Sequence, residues 1–185
     1  LSQKTLSVSG SELVSDDGLI QSGSDMTLDV QDGVLSNRNT KTRGGISSAG
    51  TLTVRAGMLN NQQGFMVGQK DMTLNAGTLD NRQGVLGSQA SLQISSGTLM
   101  NQKGALKAGT DMLLSGGDVS NQEGTLAAGG DLNTHLNVLE NQQGTVVSNG
   151  NSRLDVTRFD NQGGRLVAQQ SLTLSSTDII NDASG

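Results

Sequence analysis

The 185-residue sequence has no cysteine, proline, tryptophan or tyrosine, and only two phenylalanines. The first absence removes disulfide frameworks, thiolate zinc sites and cysteine nucleophiles together. It says little about compartment, because exported proteins without cystines are common. The shortage of aromatics excludes an aromatic core and leaves few flat rings on which a sugar could stack. No stretch approaches the roughly 20 consecutive apolar residues of a membrane-spanning helix, and residues 1–20 lack the basic-then-apolar layout of a signal peptide. Basic residues are outnumbered, 12 Lys and Arg against 17 Asp and Glu, for a formal charge of -5. That balance argues against nucleic acid, whose affinity comes largely from cations neutralising phosphates. Low hydrophobicity with 26 glycines would ordinarily read as disorder, unless the apolar residues are placed periodically.

They are, with a period of 20. Asn61-Gln62-Gln63-Gly64, Asn81-Arg82-Gln83-Gly84, Asn101-Gln102-Lys103-Gly104, Asn121-Gln122-Glu123-Gly124, Asn141-Gln142-Gln143-Gly144 and Asn161-Gln162-Gly163-Gly164 stand in register. The series continues forward to Asn181 and backward to Gly44, with Lys41 in the place of the Asn. An apolar column two residues after the glycine reads Ile46, Met66, Leu86, Leu106, Leu126, Val146, Leu166, and another runs Leu59, Leu79, Leu99, Val119, Leu139, Phe159, Ile179. Between them lies an alternating pair such as Met72 and Leu74. Thr134 and Ser152 break that pair, and Leu136 and Val156 compensate two or four residues later. Leu6, Val8, Leu13 and Gly18 bring the N-terminal part into line if two residues are inserted around Gln31-Asp32-Gly33 and four between Asn37 and Gly44. The whole of 1–185 then reads as one repeat domain with an irregular insertion at about 29–43.

Alternation over short runs is the mark of half-buried strands, and Gly or Asn punctuates the chain too often for helices. A 20-residue unit with three short strands cannot bury its own apolar face, whereas stacked copies cover one another. The expected fold is all-β: a right-handed parallel β-helix of about nine coils, about 4.8 Å apart. Each column then becomes a ladder of like side chains. The Asn column is expected to bond its amides up the stack and to the turn backbone, as stacked amides do in cross-β arrays. The Gly three residues later, at 64, 84, 104, 124, 144 and 164, is expected to supply a positive φ. The small column Ser48, Gly68, Ser88, Ala108, Ala128, Ser148, Ala168 suits a tight corner. Absence of proline fits strands with two neighbours each. The chain starts and stops inside a repeat with no polar cap, which reads as a segment of a longer rod, and its open ends raise the expectation of end-to-end self-association.

The unit Asn-Gln-x-Gly-x-Leu-x-Ala-Gly-x-Asp-Leu, nearly complete at Asn121 to Leu132, resembles the haemagglutinin repeats of filamentous haemagglutinins and of contact-dependent growth inhibition exoproteins. The resemblance covers essentially the whole chain. It implies a very large bacterial exoprotein, exported by two-partner secretion through an outer-membrane transporter and displayed on the cell surface. In that setting the repeats form a filament that carries a receptor-binding, toxin or adhesive region. The function expected is a structural spacer, with an adhesin-like module that binds a glycan or receptor as the alternative.

Few other residues offer chemistry. His135 is the sole histidine, and alternation points it outward; no second His or Cys completes a zinc or nucleophilic site. Asp25, Asp71, Asp111 and Asp131 recur before a strand, either as a stacked calcium site or, as the leading reading, as turn-forming side chains. Asp80, Glu140 and Asp160 share an outer column reminiscent of carboxylate clusters that cleave polysaccharides, but no nearby Arg, Lys or His offers a partner for acid-base work. No enzyme activity, metal or cofactor is therefore expected. The cationic insertion Arg38, Lys41, Arg43 is the best local candidate for contact with an anionic glycan or receptor, because loops on rigid scaffolds carry function. Phe65 falls in a variable column and is expected to face solvent.

Overall fold

The computed structural model describes residues 1–42 and 44–182. Among them every strand pairing is parallel, and no helix occurs. Two stacked sheets run the length of the molecule. A sheet of eight four-residue strands climbs from Leu19–Ser22 through Phe65–Gly68 and Ala105–Ala108 to Arg165–Ala168. A twelve-stranded sheet holds the rest, including Met72–Asp80, Leu92–Met100 and Leu132–Glu140. From Leu52 onward partners are 20 residues apart, as in Leu52 with Met72 and Leu86 with Leu106. The fold is thus a parallel β-solenoid of about nine coils, in agreement with the periodicity. At about 4.8 Å per coil it forms a rod about 43 Å long.

The three short strands read from the sequence resolve into two per coil in the middle of the rod, because the second and third run on without a break. Along Leu52–Asn60 the interior positions are Leu52, Val54, Ala56 and then Leu59. The step of three after Ala56 changes which side faces inward, so the chain turns a corner while its ladder bonds continue. Where the insertion sits, the same path is split into Met26–Asp29 and Val34–Ser36. Leu28 pairs with Val54 and Leu35 with Leu59, so two residues around Gln31–Gly33 bulge out.

The core is largely aliphatic: Leu, Met, Val and Ile ladders, with Phe159 the one aromatic fully inside. Burial of one such side chain stabilises by about 1.5–3 kcal/mol, and every middle coil repeats it four or five times. The two irregular coils keep the volume. Thr134 and Ser152 point inward at 4% and 1% exposure, and Leu136 and Val156, partners in the ladder, fill the space beside them. Ser152 Oγ lies 2.8 Å from Ser148 Oγ, whereas Thr134 Oγ1 is buried with no partner. The small column is buried as well from Ser48 to Ser148, and its serines satisfy the corner: Ser48 Oγ reaches the carbonyls of Ser24 and Thr51 at 2.7 and 2.8 Å.

Candidate functional site

The feature that organises one entire edge of the rod is the asparagine column. Each Nδ2 donates to the Oδ1 of the asparagine one coil on: Asn61 to Asn81, Asn81 to Asn101, Asn101 to Asn121 at 2.7 Å each, and Asn141 to Asn161 at 2.6 Å. The second hydrogen reaches backbone carbonyls, for Asn101 those of Gly104 at 3.4 Å and Thr125 at 3.3 Å. These asparagines are sealed from solvent, with 0% exposure at Asn61, Asn81, Asn101, Asn121 and Asn141. All amides point the same way, so the ladder has a donor end, at Asn161 to Asn181 (2.8 Å), and an acceptor end.

That acceptor end differs from the expectation. Lys41 does not take the asparagine place; Asn37 does, donating to Asn61 Oδ1 at 2.7 Å and leaving its own Oδ1 buried without a donor. Below it stands Ser15, whose N–H bonds Ser36 O just as Asn61 N–H bonds Asp80 O. The inserted residues begin at Thr40, three after Asn37. Thr40 is fully buried, and its Oγ1 accepts from the Phe65 N–H at 3.0 Å. In regular coils the corresponding N–H, that of Val85 for example, finds the glycine carbonyl below at 2.8 Å. Thr40 thus replaces a backbone acceptor that the insertion displaces. Its signal in the sequence was its spacing from Asn37, masked by alignment on Gly44.

The glycine column also has a different cause. The positive φ belongs to the residue before it: Gln63 at 50°, Gln83 at 58°, Lys103 at 56°, Glu123 at 54°, Gln143 at 56° and Gly163 at 60°. Left-handed geometry costs a non-glycine residue roughly 1–2 kcal/mol, and the next coil holds it in place, as in Gln63 N–H to Arg82 O at 3.0 Å. At Gly84 itself, an added Cβ would sit 2.2 Å from Asn61 O and 2.6 Å from Asn81 Oδ1. Gly104, Gly124, Gly144 and Gly164 meet the same two atoms at 2.2–2.3 Å and 2.5–2.6 Å, and Gly64 meets Asn37 O and Asn61 Oδ1 at 2.2 and 2.3 Å. Glycine is required so that the amide ladder and a neighbouring carbonyl can occupy the place of a side chain.

Within the cationic loop, Arg38 is committed to the rod. Arg38 bonds Asp16 in the coil below through Nη2 at 2.8 Å and Nε at 2.9 Å, and its backbone N–H meets the other carboxylate oxygen at 2.9 Å. Burial pushes the Asp16 carboxyl up, but the Ser36 hydroxyl and these Arg38 contacts outweigh it and hold the group below the usual carboxylate range. Lys41 Nζ reaches Gln83 O at 3.5 Å and is exposed. Arg43 lies outside the described residues.

The acidic columns are structural in geometry. Asp71 Oδ1 accepts from the backbone N–H and hydroxyl of Ser91, at 3.0 and 2.6 Å, and Asp111 Oδ1 accepts from Asp131 N–H at 2.8 Å. These bonds run from one coil to the next and tie successive turns together. The Ser91 hydroxyl, with its N–H, draws the Asp71 carboxyl below the usual range; Thr51 N–H does the same for Asp25. Among the described residues no group of three or more His, Asp or Glu converges as metal ligands would.

In the outer column, Asp80 and Asp160 are 6% and 4% exposed and do have cationic partners, contrary to the expectation. Arg82 forks onto Asp80 at 2.7–3.2 Å, and Arg158 reaches Asp160 at 3.3 Å. Burial raises the Asp80 carboxyl, but Arg82 and the Gln62 amide more than offset it. His135 points outward, 3.4 Å from Asp155 Oδ2, with 82% of its side chain exposed. Phe65 faces outward too but is half-buried by its ladder neighbours.

Compared with known proteins, residues 1–47, 47–135 and 132–185 each match the family model of the haemagglutinin repeat. No curated protein and no solved structure matches the chain. The family's repeat spans the same coils whose Asn-x-x-Gly edges were traced above, from the first to the last, and on that ground the chain belongs to the haemagglutinin-repeat family.

Proposed function

We propose that this chain is a stiff spacer within the filament of a large secreted bacterial surface exoprotein of the filamentous haemagglutinin type. In this reading the parent protein passes through an outer-membrane transporter by two-partner secretion. The rod then holds its export domain apart from a distal toxin, receptor-binding or adhesive region. The observation that carries the reading is the investment of the repeated polar residues in bonds from coil to coil: the asparagines, Asp71, Asp111 and Asp131 all bond the next coil. Family membership supports a secreted surface location in general terms. Reach is then the product, at about 4.8 Å per 20 residues.

The competing reading, a glycan or receptor grip at Arg38, Lys41 and Arg43, is weakened by the ion pair that occupies Arg38. Two experiments separate them. Removing or adding whole coils in the parent protein should change the length of the filament in electron micrographs by about 4.8 Å per coil and shift delivery or adhesion accordingly. A glycan array probed with this chain should give no signal that depends on the loop. Saturable binding lost in the triple alanine variant would refute the spacer as a sufficient account.

A further inference from the structure

The outward face of the eight-stranded sheet is unlike the rest of the surface. Over six coils its outward positions form two columns: Phe65, Val85, Ala105, Thr125, Thr145, Arg165, and Val67, Gly87, Lys107, Ala127, Val147, Val167. Only two of the twelve are charged. The outward positions of the long-strand sheet carry Arg55, Asp118, His135, Asp155 and Arg158. Apart from Lys107, Arg165 and buried Gly87, the residues of the short-strand face are half-exposed, so the face is flat and mostly uncharged.

We propose that this face pairs two copies of the chain laterally, antiparallel, about a two-fold axis running along the strands between Ala105 and Thr125. Two facts select the occupant. A surface ridged every 4.8 Å over six coils meshes along its length only with a surface of the same period, and a second copy has it. The columns are also self-complementary in this orientation. The axis sets Phe65 against Arg165, Val85 against Thr145, Ala105 against Thr125, Val67 against Val167, Gly87 against Val147 and Lys107 against Ala127. The smallest residue thus meets a branched one, the long Lys107 meets a small one, and an arginine meets the one outward-facing aromatic ring, the half-buried Phe65.

Charge along the rim fits as well. Glu123 is the one acid between the Asn-x-x-Gly turn and the following corner in any of these six coils, and the axis sets it opposite Lys103 of the other copy, twice. The parallel alternative sets it opposite glycines. Within one chain Lys103 Nζ and Glu123 Oε1 form a long ion pair of 3.5 Å with both side chains more than half exposed, so the dimer joins two such pairs into one alternating cluster of four charges.

The face measures about 29 by 13 Å, which is under half of what a stable interface buries on each partner. The pairing is therefore weak in this segment and grows with the number of coils in contact.

The test is sedimentation velocity of the chain up to about 1 mM, together with disulfide trapping, which is clean because the chain lacks cysteine. A reversible dimer is expected, and Val147→Asp, an outward substitution that leaves the circular dichroism unchanged, should abolish it. Lys103→Glu or Glu123→Lys alone should weaken it by about threefold or more, and the double reversal should restore it. Mixed Val67→Cys and Val167→Cys chains should cross-link to each other faster than either does to itself. A chain that stays monomeric, a dimer indifferent to Val147→Asp, or preferential 67-to-67 cross-links would overturn the proposal. None of these results bears on the length measurements that test the spacer.

Discussion

Replacing Asn101 by Asp changes one NH2 for one oxygen at constant shape, and so isolates the amide ladder from packing. Asn81 Nδ2 still finds an acceptor at position 101, but the aspartate faces Asn121 Oδ1, 2.7 Å from where a donor stood, at a site with 0% exposure. Two acceptors cannot bond. The native state resolves the conflict by binding a proton, which turns the carboxyl into a donor toward Asn121. In the unfolded chain the same group titrates near 3.9, and each unit by which pH exceeds that value costs the protonated native form about 1.4 kcal/mol.

Proton binding thus costs the variant about 0.5 kcal/mol at pH 4, about 1.5 kcal/mol at pH 5 and about 4 kcal/mol at pH 7, on top of a pH-independent loss of about 0.5–1 kcal/mol for the second amide hydrogen, which pointed at the Gly104 and Thr125 carbonyls and which a carboxyl lacks. The sign follows from proton counts: between these pH values the native variant holds a proton that the unfolded chain has released, so its relative stability falls as pH rises. Urea unfolding of parent and variant at pH 4, 5, 6 and 7, followed by circular dichroism, measures the difference with all other carboxylates cancelled. Equal stability at pH 7, or a loss that does not shrink on acidification, would refute the claim that the asparagines form a directional buried chain.

Other outcomes follow from the same geometry. Gly104→Ala should destabilise by about 2–4 kcal/mol, since its Cβ meets Asn81 O at 2.2 Å, while Lys103→Gly should be neutral or stabilising by up to about 1 kcal/mol because it relieves a φ of 56°. The reverse ranking in chemical denaturation would restore the glycine to the left-handed position. Deleting residues 82–101 should leave a folded rod shorter by about 4.8 Å in small-angle scattering, whereas deleting ten residues should not fold. The parent chain should hold its stability from pH 8 down to about pH 5 as far as Asp16, Asp25, Asp71 and Asp80 are concerned. Each is drawn below the usual carboxylate range, so its contribution, present above the unfolded pKa, is lost only as pH falls through the folded one, below about pH 4. Acid titration followed by circular dichroism checks this.

The fold was legible because a solenoid writes its geometry into the chain as a period. Leu79 and Leu99, or Asn81 and Asn101, are neighbours in space because they are 20 apart in sequence, so a local count predicts a distant contact. The same count failed where the period was interrupted. Alignment on Gly44 placed Lys41 in the ladder, while the structure seats Asn37 there and uses Thr40 as a substitute acceptor. It was also silent on anything decided by side-chain reach across coils. Arg38 turns to Asp16 in the coil below while Arg82 turns to Asp80 of its own coil, and the repeat does not distinguish the two choices.

Periodicity, composition and the Asn-x-x-Gly signature determined the architecture, the inward columns and the family, since each needs only the identity of residues one lap apart. The tertiary structure alone decided why the glycine is there, which residue bears the left-handed turn, and which charges remain available at the surface. A column of varied residues, Gln, Lys and Glu, carries no mark of the φ imposed on it. A glycine excluded by a carbonyl from another coil looks, in sequence, the same as one chosen for its freedom, because the atom it avoids belongs to a different lap of the chain.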